Sequence, residues 1–371
     1  MKVLIAGDYV PIGRVAKAVE DNRYDAIFAA VKPFTTEANY SIVNLEAPIV
    51  HQLSFPIEKT GPNLKCTSKV VDSLNDAGFD CVTLANNHFR DYGDSGINDT
   101  LESCLKAGID YVGGGRDLVE AQQILYKKFD DGIVAIINVC ENEWSIATKE
   151  RGGSAPIDVI QVTRQIHQAK QKADFILLIT HGGVEHYSLP TPRMIETFRF
   201  FVDMGVDVII NHHQHCYSGF EIYHNKPIFY GIGNFCFDRG EDSEKSWKEG
   251  YMVMLDLNRT ISFKLIPYLQ SDKSEAIEIL PENSFQRNIK VLNARITNPE
   301  EIRNSYMSFL QERAYYLKML EPFNNNRLIN KLRRLHVIPL LIDRTFKKKL
   351  LGVVNCESHR EGLLTILKEE F

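Results

Sequence analysis

Short apolar runs alternate with helical patterns along residues 1–270 of this chain. The runs are rich in branched side chains and apolar on both faces, as the strands of a covered parallel sheet are. Alternation of such strands with helices predicts an α/β fold built in layers. We predict strands at 2–7, 40–45, 79–85, 133–139, 174–180 and 206–211, and helices at 68–78, 96–108, 159–173 and 191–205.

The pattern changes beyond residue 270. Residues 298–320 are strongly helical, and Asn298 and Glu301 have the spacing of a capping box. Residues 322–350 carry eight Lys and Arg with one acidic residue. We therefore divide the chain into a domain of residues 1–270 and a mainly helical, basic C-terminal appendage of residues 271–371.

Composition excludes several classes of protein. The formal net charge of −5 provides no global attraction to nucleic acid. No apolar stretch is long enough for a membrane span, and the first residues do not resemble a signal peptide. The seven cysteines are scattered without CxxC spacing, which is typical of reduced thiols in a cytosolic core. We expect a cytoplasmic protein.

Polar side chains follow five of the predicted strands. In open α/β sheets ligands bind beyond the carboxyl ends of strands, so these groups are expected around one crevice. Carboxylates, an amide and imidazoles suit a divalent ion such as Mn²⁺, Fe²⁺ or Zn²⁺. Hydrogen-bonded structural histidines and turn-forming carboxylates remain an alternative. The residues are Asp8, Asn44, Glu46, Asn86, Asn87, His88, His181, His212, His213 and His215.

The chain resembles the CapA family of poly-γ-glutamate capsule biosynthesis proteins, which are similar to calcineurin-like metallophosphatases. The resemblance covers residues 2–260 and leaves 271–371 outside. It implies an αββα sandwich with two metals at the strand ends. The motifs that carry it, in this order, are GD (7–8), NLEAPI (44–49), LANNHFRDYGDSG (84–96), AGIDYVGGG (107–115), HGGVEHY (181–187) and HHQHCYSGFEIYHNKPIFYGIGNF (212–235).

The resemblance also implies roles for single residues. Glu46 stands where an aspartate bridges the two metals in the superfamily, and Val10 stands where a histidine ligand is expected. The resemblance thus implies one metal held firmly and a second held weakly or absent. The first position would keep Asp8, Glu46 and His215, and the second Glu46, Asn87, His181 and His213.

His88 matches the acid–base histidine of the superfamily. Asp91, three residues later, is expected to accept a hydrogen bond from its ring, or else to serve as a turn residue. His212 is more simply read as a structural neighbour than as a metal ligand. Arg90 and Arg193 are more simply read as solvated surface residues than as anion contacts. The residues predicted to meet substrate are Asn44, Asn86, Glu185, His186, His212 and Asn234.

These expectations point to a metal-dependent, phosphoesterase-like hydrolase of capsule or exopolymer synthesis. The alternative is a non-catalytic component that binds an anionic polymer or assists assembly. The expected partners are an anionic polymer or a phosphoester, and no nucleic acid. Residues 322–350 either contact an anionic membrane surface or form a packed helical pair interrupted at Pro339.

Overall fold

A computed structural model describes residues 1–51, 54–313 and 344–369. The described strands are β1 (Lys2–Val10), β2 (Tyr40–Leu45), β3 (Cys81–Thr83), β4 (Asp110–Val112), β5 (Gly114–Gly115), β6 (Leu125–Phe129), β7 (Gly132–Cys140), β8 (Gly153–Ser154), β9 (Phe175–His181), β10 (Val208–His212), β11 (Phe220–Tyr223), β12 (Lys226–Phe229), β13 (Asn234–Phe237), β14 (Glu249–Asp256), β15 (Ser262–Gln270) and β16 (Ile277–Ile279).

The described helices surround these strands. They are α1 (Gly13–Glu20), α2 (Asp25–Phe28), α3 (Lys32–Glu37), α4 (Lys69–Ala77), α5 (Gly93–Ala107), α6 (Leu118–Ala121), α7 (Val159–Ala169), α8 (Pro192–Met204), α9 (Lys245–Lys248), α10 (Gln286–Ile296), α11 (Pro299–Arg313), α12 (Arg344–Asn355) and α13 (Glu357–Glu369).

Most of the strands form two mixed sheets. The first has the order β16-β15-β14-β1-β2-β3-β4, with β13 beside the end of β1. The second has the order β11-β12-β10-β9-β7-β6. The central strands of each sheet, β1 to β4 and β7, β9, β10 and β12, run parallel. The predicted α/β pattern is therefore present in both sheets.

The two sheets pack face to face. Ile5 and Ile42 of the first sheet share a buried cluster with Ile136, Leu177 and Ile210 of the second. A separate buried cluster joins α1, α4 and α5 to the outer face of the first sheet. Another joins α7 and α8 to the outer face of the second. These four layers confirm the predicted αββα sandwich.

The described C-terminal helices extend one of the outer layers. Tyr306 of α11, Phe346 and Val353 of α12 and Ile366 of α13 belong to the apolar cluster that covers the second sheet. The helical character predicted for this region is confirmed there. Residues 322–343 of the predicted basic stretch lie outside the described residues, so its membrane contact stays a prediction. Within the described ranges, no helix is long and apolar enough to cross a bilayer.

Local signals explain where several helices end. Gly78, Gly108 and Gly205 follow α4, α5 and α8 with φ angles of 81°, 72° and 119°. This left-handed conformation suits glycine, which has no Cβ to clash. The sequence pattern predicted all three ends. All seven cysteines are buried and free of disulfides, as expected for reduced thiols.

A close approach of two backbones shapes the middle of the first sheet. Asp8 of β1 pairs with Asn234 of β13, and the preceding Gly7 lies against Gly233. A Cβ on Gly7 would overlap the carbonyl oxygen of Gly233 and lie 3.2 Å from the backbone nitrogen of Phe235. Backbone atoms cannot move aside as a flexible side chain can, so only glycine fits here.

We therefore expect Gly7→Ala to destabilise the fold by about 1–3 kcal/mol, the usual range for overpacking. Urea unfolding monitored by circular dichroism measures this change. Gly352→Ala is the matched control, because its added Cβ would lie 3.5 Å from the Trp144 side chain and 3.9 Å from Thr60, ordinary contact distances. Equal unfolding midpoints for the two variants would contradict the prediction.

Candidate metal centre

The carboxyl ends of strands from both sheets meet at one edge of the sandwich. Asp8 lies near the end of β1, and Glu46 follows β2. His181 ends β9 of the second sheet, and His213 and His215 follow β10. All five side chains are buried, with 0–3% of each residue exposed. The structure therefore brings together the predicted ligands from both sheets.

These side chains form two groups that share one carboxylate. Asp8, Glu46 and His215 form the first group, and Glu46, His181 and His213 the second, with candidate ligand atoms of each group within 4.8 Å of one another. The Glu46 Oε1 atom lies 3.6 Å from His181 Nε2 and 3.9 Å from His215 Nε2. Glu46 thus belongs to both groups, which is the placement that a bridging ligand would need.

Asn87 joins the second group. Its Oδ1 atom lies 3.1 Å from His181 Nε2. The His213 Nδ1 atom lies 3.2 Å from the same His181 nitrogen. Donor atoms of an amide and two imidazoles therefore converge on one point beside Glu46. This is the four-residue set predicted for the firmer metal position.

Glu46 provides the observation that tests whether a cation fits. Both its carboxylate oxygens are buried, and neither has a hydrogen-bond partner in the described part of the chain. Burial, with the Asp8 charge next in importance, raises the Glu46 pKa well above its usual value. A buried carboxylate without a partner is costly unless a cation or proton neutralises it. The donor set therefore fits a divalent metal ion.

Histidine backbones in the β10–β11 loop adopt an unusual conformation. His213 and His215 have φ angles of 91° and 56°, in the left-handed region. Such residues cost of order 1–3 kcal/mol each and persist only where the surroundings hold them. The intervening Gln214 provides that support, since its amide donates to the carbonyl oxygens of Tyr187 and Leu189. The loop aims alternate imidazoles at the site.

A network of amides orients the ligands. Asn44 donates from Nδ2 to Asp8 Oδ1 at 2.7 Å, and Asn86 donates to the Leu45 carbonyl at 2.9 Å. Asn234 Oδ1 lies 2.8 Å from His215 Nδ1, so the other ring nitrogen faces Glu46. Such partners fix ring orientation around a metal. The three asparagines predicted to contact substrate are thus buried among ligand residues, and their substrate contact stays a prediction.

His212 lies beside the first carboxylate. Its Nδ1 atom is 3.2 Å from Asp8 Oδ1, and its side chain is buried in β10. Burial would raise the Asp8 pKa, but the hydrogen bond with His212 and the nearby charges of His212, His181 and His215 outweigh it and lower the pKa. His212 belongs to neither group that contains Glu46. This placement suits the structural alternative considered for it.

His88 and Asp91 form the expected pair. The His88 Nδ1 atom lies 2.6 Å from Asp91 Oδ2, which also accepts a hydrogen bond from the Leu64 backbone. A contact this short to a carboxylate assigns the Nδ1 proton to the ring, so Nε2 exchanges the other proton. Burial lowers the His88 pKa, although the Asp91 hydrogen bond opposes this shift.

Lys59 completes this pair and was not predicted. Its ammonium lies 3.1 Å from His88 Nδ1 and forms an ion pair with Asp91, and only 2% of its side chain is exposed. Its charge is one of the influences that lower the His88 pKa. No strand end precedes Lys59 in the sequence, so the pattern of polar strand ends could not identify it.

Glu143 is a second residue that the sequence analysis missed. Its Oε1 atom lies 3.7 Å from His213 Nε2. Glu143 follows the end of β7 at Cys140, so the strand-end pattern used for the other residues could have found it. It extends the predicted set to the end of one more strand of the second sheet.

Two predicted contacts lie at the rim of the site. Glu185 forms a further candidate ligand group with His213 and His215. Partial burial would raise the Glu185 pKa, but His215, His213 and His186 lower it to about 2. The ring of His186 lies 5.7 Å from the Trp247 ring and lines a neighbouring cavity. Of these two residues, Glu185 is the one that joins a candidate ligand group.

The two arginines considered as anion contacts are engaged elsewhere. Arg90 donates to Asp94 and to the Gly152 carbonyl. Arg193 forms an ion pair with Glu141. Both guanidinium groups thus have partners within the protein. With side chains only 12% and 27% exposed, Arg90 and Arg193 are not the solvated surface residues that were expected.

The position of the expected extra histidine is apolar. Val10 is fully buried and packs with Phe237 and Trp247. Arg239 stacks over the Trp247 ring, 3.5 Å from its centroid. The first group therefore has three candidate ligands beside an apolar wall, whereas the second has four with Asn87.

Comparison with known proteins places these residues in a family. The model of the family described as bacterial capsule synthesis protein PGA_cap matches residues 2–239. The capsule biosynthesis protein CapA of Bacillus anthracis is 32% identical over 294 residues, which cover 76% of this chain and 67% of that protein. The PGA biosynthesis protein CapA of Bacillus subtilis strain 168 is 32% identical over 237 residues, covering 63% and 62%.

The chain thus spans 67% and 62% of the lengths of these two relatives. Among solved structures, a novel phosphatase from Mycoplasma pneumoniae aligns with a TM-score of 0.46 and 16% identity, covering 73% of this chain and 94% of that one. The matched family region contains every predicted ligand, from Asp8 to His215.

Glu46→Gln tests the bridging carboxylate. In excess Mn²⁺ or Zn²⁺ at about 100 times the dissociation constant, we expect metal to stabilise the wild type by about 2.7 kcal/mol. The variant should lose most of this gain, since a neutral amide attracts a cation weakly. In EDTA the variant should be at least as stable as the wild type, because it buries no unpaired charge.

Urea unfolding with and without EDTA, together with elemental analysis, makes this measurement. Glu221→Gln is the matched control, because Glu221 is buried but paired with Arg199, remote from the site. Its loss of stability should be the same with and without metal. A Glu46→Gln protein that keeps its metal content would contradict the bridging role.

Lys59→Met tests the electrostatics of His88. Removing the Lys59 charge should raise the His88 pKa toward its usual value of 6.5, because the charge disfavours a protonated ring. The protonated fraction of His88 at pH 6 should therefore increase. An NMR titration of the ring resonances reports the pKa directly. The control is Lys65→Met, whose ammonium instead lies over the Tyr92 ring; an unchanged His88 pKa in Lys59→Met would refute the coupling.

Proposed function

Since the chain belongs to the PGA_cap family of bacterial capsule synthesis proteins, we propose that it is a metal-dependent hydrolase that cleaves a phosphoester during synthesis of a capsule polymer such as poly-γ-glutamate. The observation that carries this proposal is Glu46, a buried carboxylate without a hydrogen-bond partner in the described part of the chain, shared by two groups of candidate ligands. A purely structural site has no use for such a residue.

The two groups would differ in how firmly they hold an ion. Glu46, Asn87, His181 and His213 would hold one ion through four donors. Asp8, Glu46 and His215 would hold another more weakly, since Val10 offers no donor. A bound Mn²⁺, Fe²⁺ or Zn²⁺ polarises a phosphoryl oxygen and lowers the pKa of a coordinated water.

His88 would act as the general acid. Asp91 accepts a hydrogen bond from Nδ1–H of His88, which stays protonated at that nitrogen. The ring can then carry a second proton on Nε2 and donate it to the leaving oxygen. Burial and the Lys59 charge, which lower the His88 pKa, make the protonated ring a stronger acid. The pair thus supplies a proton where negative charge develops on the leaving group.

A cavity beside His88 and the candidate ligands supports a catalytic role over a purely structural one. His88 lies at the surface of a cavity of about 460 Å³ that also reaches Asn87, Glu143 and Glu185. Asn87 and Glu185 belong to, or contact, the candidate ligand groups. A substrate in this cavity would therefore meet the proton donor and the ligand groups together.

His88→Ala tests the proposal. Turnover of a phosphoester with a poor leaving group, such as benzyl phosphate, should fall about 10²–10⁴-fold, the usual contribution of a general acid, while metal content stays unchanged. Steady-state kinetics beside elemental analysis give both quantities. The control is His224→Ala, because His224 is an exposed turn residue outside the site.

The same measurement separates the alternative function. Unchanged turnover in His88→Ala would remove the acid role. A metal-loaded wild type that turns over no phosphoester, yet binds poly-γ-glutamate in equilibrium dialysis, would favour the non-catalytic polymer-binding component.

A further inference from the structure

The C-terminal helices form one wall of the cavity beside His88. Lys59 and His88 lie on one side of the 460 Å³ space, and Lys349, Gly352 and His359 of α12 and α13 line it as well. The last three residues lie outside the region that matches the family. The cavity is therefore built jointly by the family domain and by a part of the chain that the family model does not cover.

Hydrogen bonds hold α13 against this domain. Ser358 donates to Glu141 Oε1 at 2.8 Å, and Glu357 accepts from the Asn142 backbone at 2.7 Å. Cys356, just before the helix, donates weakly to Glu141 Oε2. The contacted residues belong to the loop after β7 that also carries Glu143 beside His213.

A second set of contacts fixes the other parts of the wall. Glu361 accepts hydrogen bonds from the Thr191 hydroxyl at 2.5 Å and the Arg193 backbone at 2.8 Å. Lys348 of α12 pairs with Glu58 at 3.0 Å, next to Lys59. The wall is thus attached on both sides of the cavity, which gives it a defined place relative to His88.

We propose that α12 and α13 complete a binding subsite for the leaving group, and that Lys349 is a specificity-determining residue that binds an anionic group on it. This inference rests on the proposed function, because His88 is the general acid there. A general acid protonates the leaving oxygen, so the leaving group must lie on the His88 side of the bond. The leaving group would therefore occupy the cavity that opens from His88.

The lining matches an organic anion. A volume of about 460 Å³ lies within the usual range of small-molecule sites, about 300–1,000 Å³. Apolar side chains in the lining would contact the body of the leaving group. They are Trp144, Phe309, Leu310 and Val353. The carboxylates Glu143 and Glu185 also line the space. Glu143 lies 3.7 Å from His213 and groups with Cys356 and His359, and Glu185 groups with His213 and His215.

Among the lysines that line or adjoin the cavity, Lys349 is the one without an ion pair in the described part of the chain. Lys59 pairs with Asp91, and Lys348 pairs with Glu58. Lys349 is exposed, and within the described residues it forms no ion pair. An ammonium group there would attract a carboxylate or a phosphate on the far end of the leaving group. The subsite therefore favours a substrate charged at both ends over one with a neutral leaving group.

The test uses two unreactive ligands and the full metal-loaded chain. Benzylphosphonate and 4-carboxybenzylphosphonate differ only in the far carboxylate, and calorimetry gives the dissociation constant of each. We expect the wild type to bind the carboxylated compound roughly two- to fivefold more tightly, the effect of one partly exposed ion pair. Lys349→Gln should abolish this preference. Lys347→Gln, on the same helix but outside the cavity lining, should keep it.

Gly352 provides an independent variant. Its position in α12 faces Trp144 and Thr60 across contact distance, so a large side chain there would fill the cavity. Gly352→Phe should weaken both ligands at least tenfold with unchanged metal content, whereas Gly352→Ala should bind both as the wild type does. Wild-type binding by Gly352→Phe, or a preference that survives in Lys349→Gln, would overturn the subsite.

The outcomes also separate this inference from the proposed function. A preference that depends on Lys349 in a protein without phosphoester turnover would keep the subsite and reject the hydrolase. Turnover that depends on His88, with no preference between the two phosphonates, would keep the hydrolase and reject the subsite. A carboxylate and a phosphate are then distinguished by replacing 4-carboxybenzylphosphonate with its 4-phosphonomethyl analogue.

Discussion

A buried carboxylate surrounded by imidazoles is the constraint on which the rest of this structure depends. Glu46 is fully buried and lies within 4 Å of His181 and His215, while Asp8 lies across the same space. Two carboxylates this close repel each other when both are charged, and burial increases the cost. A divalent cation would offset both costs together, and the candidate ligands around Glu46 fit such an ion.

The surrounding fold is organised to hold that arrangement. Asn44 and Asn234 orient Asp8 and His215, and Gln214 anchors the strained loop between two ligands. Gly7 allows β1 to approach β13 closely enough for these contacts. Asn44 and Asn234 are buried and hydrogen-bonded to candidate ligands, so they are placed to fix the geometry of those ligands.

The sequence predicted strands and helix ends, which depend on local residue patterns. It missed residues such as Lys59, whose contacts join segments far apart in the chain. Apolar runs followed by polar residues identified strands and the candidate ligands that the fold brings together, and the glycines after α4, α5 and α8 identified helix ends. The four-layer sandwich itself followed from the family resemblance. Lys59 could not be found, because its role comes from a loop that folds back onto His88. Short strands such as β4 and β16 carry too few residues for a periodic signal.

The family domain carries the candidate metal ligands, whereas the C-terminal helices line the neighbouring cavity. Candidate metal ligands need to be held rigidly, and here Asp8 and His215 are held by hydrogen bonds with Asn44 and Asn234. Recognition of the rest of a substrate needs only a wall of suitable charge and shape. Helices α12 and α13 provide such a wall, attached through Ser358, Glu357 and Glu361 and carrying Lys349 into the cavity. If Lys349 acts as proposed, changes in these helices would alter what the protein recognises without altering the candidate ligand groups.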